Sequence, residues 1–579
     1  MAGPFSWQSV RPRSRGEMLG FGAAAFGGAV WLRQRLLGYP PGYFLPDDSA
    51  WPVTTATFLA LVSGGLLVAA ALAAPVLALR HPDVGTPPAC TCALGPGLVI
   101  LLVSAALRFA FSRELPGAPW TDGVYALHQA AAAGRFLWPW ESMPLVPAEL
   151  GPSKILLFDV TLDFARALLS LAPDRHAAYA LLSSLPGSLI PLAVFFLTRR
   201  LASTRAAWIG GLLAATGFPF LVQARWGWDQ QMMVLFLLLA LERVAAGLHP
   251  EKPGRLLAGG LLAGIALHTY LGSLPAVAAL ALYLLGSGIR RRRARPFFAF
   301  TAGLALPALM LALVYARRPE AFGGRAGSLL LAGPPAKLAR SLALNLVDYA
   351  GLFSFSRDLN VRHGDPSAPP FNVLVAVLLP AGLLIACGPR WGALLAVLSG
   401  SLAGGFLSSP LEAPNGYRVG LALALAMPLA AAGLDALAHR TPPRLSRGAL
   451  ALVVVLAAGL LDTGRFLRWG LLNPTPWGFG PRAAAAGAFA SSVGRQSVAV
   501  DPTLLLRDDS IFLVSFWVDA DRPLEPLRPL PMRTSSPLGG ACAGVDWFVS
   551  THPPPGRHTI QLGFPGTPEG SVSAARCRP

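Results

Sequence analysis

Apolar runs recur along this chain at lengths that suit a bilayer, separated by short polar turns and by two long polar loops. A helix crosses a membrane on about 20 predominantly apolar residues. Runs at 54–79, 94–111, 177–197, 206–222, 232–244, 256–268, 274–286, 298–315, 371–387, 391–407, 417–437 and 449–461 are read as successive spans. A further segment at 18–31 is short and Gly-rich and stops at Arg33 and Arg35. It either crosses or lies in the interface as an anchor, so the count is twelve or thirteen. The pattern changes near the C-terminus, where β-rich runs such as 497–500 and 511–518 alternate with Pro, Gly and Asp turns. The fold class expected is an all-α polytopic membrane protein with a small exported C-terminal α/β or β-rich domain.

Charge sets the direction of the spans. Arg199, Arg200 and Arg205, then Arg243, Lys252 and Arg255, then the run 290–295, and finally His439, Arg440, Arg444 and Arg447 fall in alternate loops. Cytoplasmic loops collect such residues, so these four mark the inside. The loops 113–176 and 317–370 and everything beyond 464 then face outward. Three regions follow: 1–92, an N-terminal tail with one or two accessory spans; 93–463, the membrane core; and 464–579, the exported domain. The opening R-P-R-S-R looks like a signal-peptide n-region, but no small-residue cleavage site follows, so the segment is expected to be retained.

Composition agrees with the pattern. At 54% hydrophobic and 13% charged over 579 residues, the chain lies outside the soluble globular range. Its formal charge of +18 sits in loops between spans, which argues against nucleic acid as a partner. Five cysteines are too few for a disulfide framework. Cys90 and Cys92 lie in a cytoplasmic loop at a spacing too tight for a zinc half-site, whereas Cys542 and Cys577 are exported and either pair or stay free. Richness in Ala, Leu, Gly, Pro and Arg suggests a GC-rich bacterial genome, hence a bacterial inner membrane.

Candidate chemistry concentrates at 120–136, W-T-D-G-V-Y-A-L-H-Q-A-A-A-A-G-R-F, which directly follows an outward span. Asp122 is a carboxylate at the boundary of membrane and water, and the weakly amphipathic stretch after it is of a kind that can lie along the bilayer surface. Asp is also a favoured N-cap, so Asp122 can equally be an interfacial acid that starts a helix.

This loop, the turn R-W-G-W-D at 225–229, H-T-Y-L at 268–271, L-N-V-R-H-G-D-P within the late loop and P-N-G-Y-R at 414–418 together resemble the GT-C superfamily of integral-membrane glycosyltransferases, in its bacterial protein-mannosyltransferase and aminoarabinose-transferase-like branch. The likeness spans roughly 93–465. It implies a polyprenyl-phosphate-linked sugar donor, a lipid, glycan or protein acceptor on the exported face, and an external-loop aspartate as general base, the position matched by Asp122. Many relatives follow that aspartate with a second acidic residue, whereas Gly123 stands here. A divalent cation, Mg or Mn, is left open; no metal ligands are identified.

Transfer from a phosphate-linked sugar needs a base on the nucleophile and positive charge on the departing phosphate. Candidates for the phosphate are Arg418, Arg225, Arg362, His363 and Lys154, with Asp229 and Tyr125 in support. Arg matches phosphate bidentately, although an Arg near a span end also snorkels to headgroups. Asp229, four residues after Arg225, is placed to pair with it. His268 reads as a structural hydrogen-bonding residue, and Asp519-Ala-Asp521 as a chance tripeptide. The competing functions are a lipid-linked saccharide translocase and a catalytically degenerate scaffold. A translocase would place ionisable groups inside the spans, where this sequence has few.

Overall fold

Within a bilayer the backbone must satisfy its own polar groups, so an apolar run becomes a helix. A computed structural model shows this for every expected span that it describes. It describes residues 94–110, 159–172, 175–317 apart from 226, 228 and 249, and 334–472 apart from 355, 357, 359–362, 366–367, 387, 408–413 and 441–446. Beyond these it describes 123, 126, 127, 130, 486, 489, 498–500, 546–550, 559–562 and 572–577. Positions 18–31, 54–79, Cys90, Cys92, Cys542, 511–518 and the Asp519–Asp521 tripeptide lie outside the described residues.

In chain order the helices are α1 Leu94–Phe109, α2 Asp159–Leu171, α3 Arg175–Leu201, α4 Thr204–Thr216, α5 Phe218–Gln223, α6 Gln230–Leu248 and α7 Pro253–Leu267. They continue as α8 Leu274–Arg291, α9 Arg295–Arg317, α10 Pro335–Gly351, α11 Val373–Ile385, α12 Gly392–Phe406, α13 Gly420–Arg440 and α14 Arg447–Leu472. Among the described residues five helices are long and apolar enough to cross a membrane, and four shorter ones are predominantly apolar. The protein is a multi-pass membrane protein. The two long loops carry helices of their own, α2 and α10.

Two spans differ from the sequence expectation. The run 206–222 is two helices, because Pro219 sits in the first turn of α5, where a missing N–H costs nothing, and the chain breaks at Gly217. The last span does not end at Leu461; α14 continues to Leu472. Its polar residues read as an exit into water, but Asp462 is buried, near the Asn372 side chain and the Phe218 backbone.

The centre of the bundle is α13, whose span is 89% buried. It packs on α11, α4, α12, α3, α6 and α14. Backbone contact with α11 is close enough that a Cβ on Gly382 would lie 1.8 Å from the Leu429 carbonyl, and one on Gly433 2.4 Å from that of Leu378. Small residues allow such approach, and dispersion supplies the attraction where lipid offers no hydrophobic gain. In contrast α9 and α14 lie at the perimeter, with Leu306, Leu309, Leu452, Val453, Leu456 and Leu460 exposed. Those side chains have the surroundings they need only in hydrocarbon.

The C-terminal strands β1 Val498–Val500, β2 Trp547–Ser550, β3 Thr559–Gln561 and β4 Ser573–Arg576 form a mixed sheet in the order β1-β2-β4-β3. β1 and β2 are parallel with Val498 opposite Trp547, and β4 is antiparallel to both β2 and β3. Cys577 is disulfide-bonded, to a cysteine outside the described residues. The sheet shares an apolar core with the loop after α1: Ala126, Leu127 and Ala130 are buried with Leu162, Ala165 and Leu168 of α2, Tyr179 of α3, and Trp547, Val549 and Ala574. Ala126, Leu127 and Ala130, in the stretch after Asp122, are thus covered by protein.

The basic loops gather at one end. Arg200 pairs with Glu242 at 3.0 Å and Arg293 with Glu251 at 3.3 Å, while Asp435 receives both Arg205 and Ser203. The other end carries the site.

Candidate functional site

At the end opposite the basic loops, the short motifs meet around one side chain. Tyr417, buried before the first turn of α13, donates from its hydroxyl to Asp229 Oδ1 at 3.2 Å. Its ring stacks on His363 with centroids 6.0 Å apart and meets Tyr270 edge-on at 5.4 Å. Its carbonyl accepts from the Gln230 side chain. Turn 225–229, turn 268–271, the late loop and the 414–418 loop thus share one tyrosine.

A second knot ties the late loop to the same place. His363 donates from Nδ1 to Asp358 Oδ2 at 2.7 Å, and the Gly416 N–H donates to that same oxygen at 2.6 Å. Both side chains are buried, and a carboxylate accepting Nδ1–H fixes the tautomer and orientation of the ring. Asn415 Oδ1 accepts from the backbone N–H of Arg418 at 3.1 Å, which closes the turn that presents Arg418 at the mouth of α13. From α14, Arg465 donates to Asp365 Oδ2 at 3.0 Å and to the carbonyls of Ala368 and Pro369 at 2.9 and 2.6 Å, its guanidinium 4.0 Å from the Phe218 ring centroid. A small pocket between loop and helices is lined by Phe218, Gln223, Asp358, His363, Asp365 and Arg465.

Turn 225–229 is fastened to α3. Ser183 Oγ accepts from Gly227 N at 2.8 Å and donates to the Ala224 carbonyl at 3.1 Å. The Tyr179 hydroxyl reaches the Arg225 carbonyl at 3.5 Å. Arg225 itself is buried; it donates to the Leu107 and Ala110 carbonyls at the C-terminus of α1, a favourable place for a cation, and lies over Phe466. Arg108 caps α4 in the same manner, donating to the carbonyls of Ala214 and Ala215 at 3.1 and 2.9 Å. Gly123 rests directly on Gly227.

Of the residues singled out from sequence, Asp229, His363 and Arg418 are brought together around Tyr417. Arg225 holds the end of α1 from the same turn, and Asp229 receives Tyr417. Asp122, Tyr125, Lys154 and Arg362 lie outside the described residues. His268 donates from Nε2 to the Pro307 carbonyl at 2.8 Å, joining α7 to α9. Among the described residues no group of three or more His, Cys, Asp or Glu side chains is arranged to hold a metal ion.

Residues 161–315 match the family model described as dolichyl-phosphate-mannose-protein mannosyltransferase. That match lies inside the region 93–465 for which the sequence resembles GT-C glycosyltransferases. Among solved structures the chain is similar to ArnT from Cupriavidus metallidurans bound to undecaprenyl phosphate, at 15% identity and TM-score 0.47 over 84% of this chain and 99% of that one. It is similar to the Archaeoglobus fulgidus oligosaccharyltransferase at 13% identity and TM-score 0.43, over 79% of this chain and 68% of that one. It is also similar to the S. cerevisiae protein O-mannosyltransferase Pmt1-Pmt2 complex bound to the sugar donor, at 15% identity and TM-score 0.31, over 43% and 38%. No curated protein matches the chain.

Asp358, Tyr417 and Arg465 escape a reading of sequence alone. Asp358 stands five positions before His363 in one polar run, and Tyr417 adjoins Arg418, so proximity to singled-out residues is the signal that points to them. Arg465 carries no such signal, because it follows an apolar run as any flanking arginine does.

Proposed function

We propose that this protein is a membrane glycosyltransferase that moves one sugar from a polyprenyl-phosphate donor to an acceptor on the exported face of a bacterial plasma membrane. The observation that carries the proposal is the meeting of four loop motifs at Tyr417, on the end of the bundle away from the basic loops. Positioning donor and acceptor at one interface is worth several kcal/mol of barrier, and a cluster of desolvated polar groups held by loops is the arrangement such positioning needs.

In this mechanism Asp122 takes the proton from the acceptor nucleophile, which attacks the anomeric carbon as the phosphate departs. A single displacement inverts that carbon. Arg418, His363, Lys154 and Arg362 meet the departing phosphate, and charge placed where charge develops lowers the barrier. Arg225 and Asp229 support them by holding α1 and Tyr417, and Tyr125 supports Asp122. Asp358 orients His363. The prenyl chain lies along the apolar sides of the helices beneath the loops.

The test is transfer of labelled sugar from synthetic polyprenyl-phosphate donors, comparing wild type with Asp122→Asn, which keeps size and removes the base. The expected result is transfer by wild type and a loss of roughly 1,000-fold in kcat with donor binding retained in the variant. Binding of the lipid by both proteins with transfer by neither, for every donor, would move the translocase or scaffold reading ahead.

A further inference from the structure

The residue after Asp122 is held by a contact that admits no side chain. A Cβ on Gly123 would stand 2.4 Å from the carbonyl oxygen of Gly227 and 2.7 Å from the Tyr179 ring. Main chain cannot step aside as the end of a flexible side chain can. Gly227 is itself confined: its φ of +62° is left-handed, and a Cβ there would meet the same ring at 2.4 Å.

The surface beneath Gly123 is rigid for reasons given by its own hydrogen bonds. Ser183 holds the Gly227 N–H and the Ala224 carbonyl, and Tyr179 is buried with its hydroxyl toward the Arg225 carbonyl. On the other side of Gly123 the chain is seated just as firmly. Ala126, Leu127 and Ala130 are at most 3% exposed in the core shared with α2, α3 and the C-terminal sheet. The segment cannot lift to accommodate a methyl group without opening that core.

We infer that Gly123 and Gly227 are positioning residues that set where Asp122 stands: turn 225–229 and the 123–130 stretch touch backbone to backbone, and Asp122, one peptide away, moves with them. Consecutive Cα atoms are about 3.8 Å apart, so a displacement at 123 is passed almost whole to 122. The site is built around a glycine at 123, with no volume for a second acidic side chain. This inference rests on Asp122 being the base.

The experiment compares wild type, Asp122→Asn, Gly123→Ala and Gly123→Asp in the polyprenyl-phosphate transfer assay, with donor affinity read separately from a fluorescent polyprenyl phosphate. A displacement of about 1 Å costs about 100-fold in rate. Both Gly123 variants are expected to lose about that in kcat, with donor affinity within about threefold of wild type. An inactive Asp122→Asn beside a fully active Gly123→Ala would overturn the positioning role and leave the base in place. Wild-type turnover by Asp122→Asn would remove the base and the inference with it. Should Gly123→Ala not assemble in the membrane, Tyr179→Leu takes its place: it opens the third side of the contact, is expected to lower kcat about tenfold at constant donor affinity, and overturns the inference if kcat is unchanged.

Discussion

The two ends of the helical bundle handle charge in opposite ways. At the basic end, cations reach partners across helices while staying in contact with water; the Arg293 side chain is 70% exposed beside Glu251. At the loop end, Asp229, Asp358, His363 and Arg225 are nearly or wholly out of water and are tied to loops and helix termini. An exposed pair gains little, because water screens it and two long side chains must be ordered. A buried charge needs hydrogen bonds in place of water, so its geometry is specified closely. The basic end thus makes looser, water-exposed pairs, and the loop end holds a shape.

Substitutions that break this contrast separate in size. Asp358→Ala leaves the His363 Nδ1–H and the Gly416 N–H without their common acceptor, and is expected to cost about 3 kcal/mol. Thermal unfolding of the solubilised protein would show it, and donor titration should show weaker binding as the 414–418 loop loosens; wild-type behaviour in both would mean that the pair does not organise the site. Tyr417→Phe keeps both ring contacts and removes the hydroxyl's bond to Asp229. A hydrogen bond to a charged group is worth about 2 kcal/mol, so a smaller stability loss than for Asp358→Ala is expected, and an equal or larger one would shift the organising role to the hydroxyl. Arg293→Ala, at the other end, should change stability by less than about 0.5 kcal/mol and leave transfer unaltered. A measurable loss of transfer there would erase the distinction between the ends.

Gly123 sharpens the same comparison from the side of the backbone. Its neighbours show why a likeness of motifs is an incomplete guide to a site. The acidic pair common in relatives is interrupted here, and in sequence that looks like a loss. In space the glycine is where two backbones touch, at a position with no room for a second side chain.

Much of the architecture was legible because it follows from local rules. Hydrophobic runs must become helices in lipid, and basic clusters must alternate with outward loops, so the described spans and the end at which the motifs lie could be read residue by residue. The strand at Val498–Val500 was legible for the same reason, a short β-rich run between turns. What escaped depended on neighbours remote in the chain. Leu461 looked like the end of a span because Asp462 and Arg465 follow it, and only the Asn372 and Phe218 contacts and the loop at 365–369 explain why both are buried in a continuing helix. The amphipathic stretch after Asp122 carries an apolar face that would suit lipid or protein equally; packing against α2, α3 and the C-terminal sheet chose protein.

The sequence by itself determined that this is a membrane protein of many helices, that its basic loops fall together, and that the short motifs lie in the loops between them. Tertiary structure alone decided that Tyr417 joins four of them and that Gly123 closes the fifth onto Gly227. The physical reason is range. Helix formation and loop charge are settled within a few residues, whereas the hydrogen bond from Tyr417 to Asp229 spans 188 positions and that from Gly416 to Asp358 spans 58. Such contacts exist only once the bundle has brought its loops together.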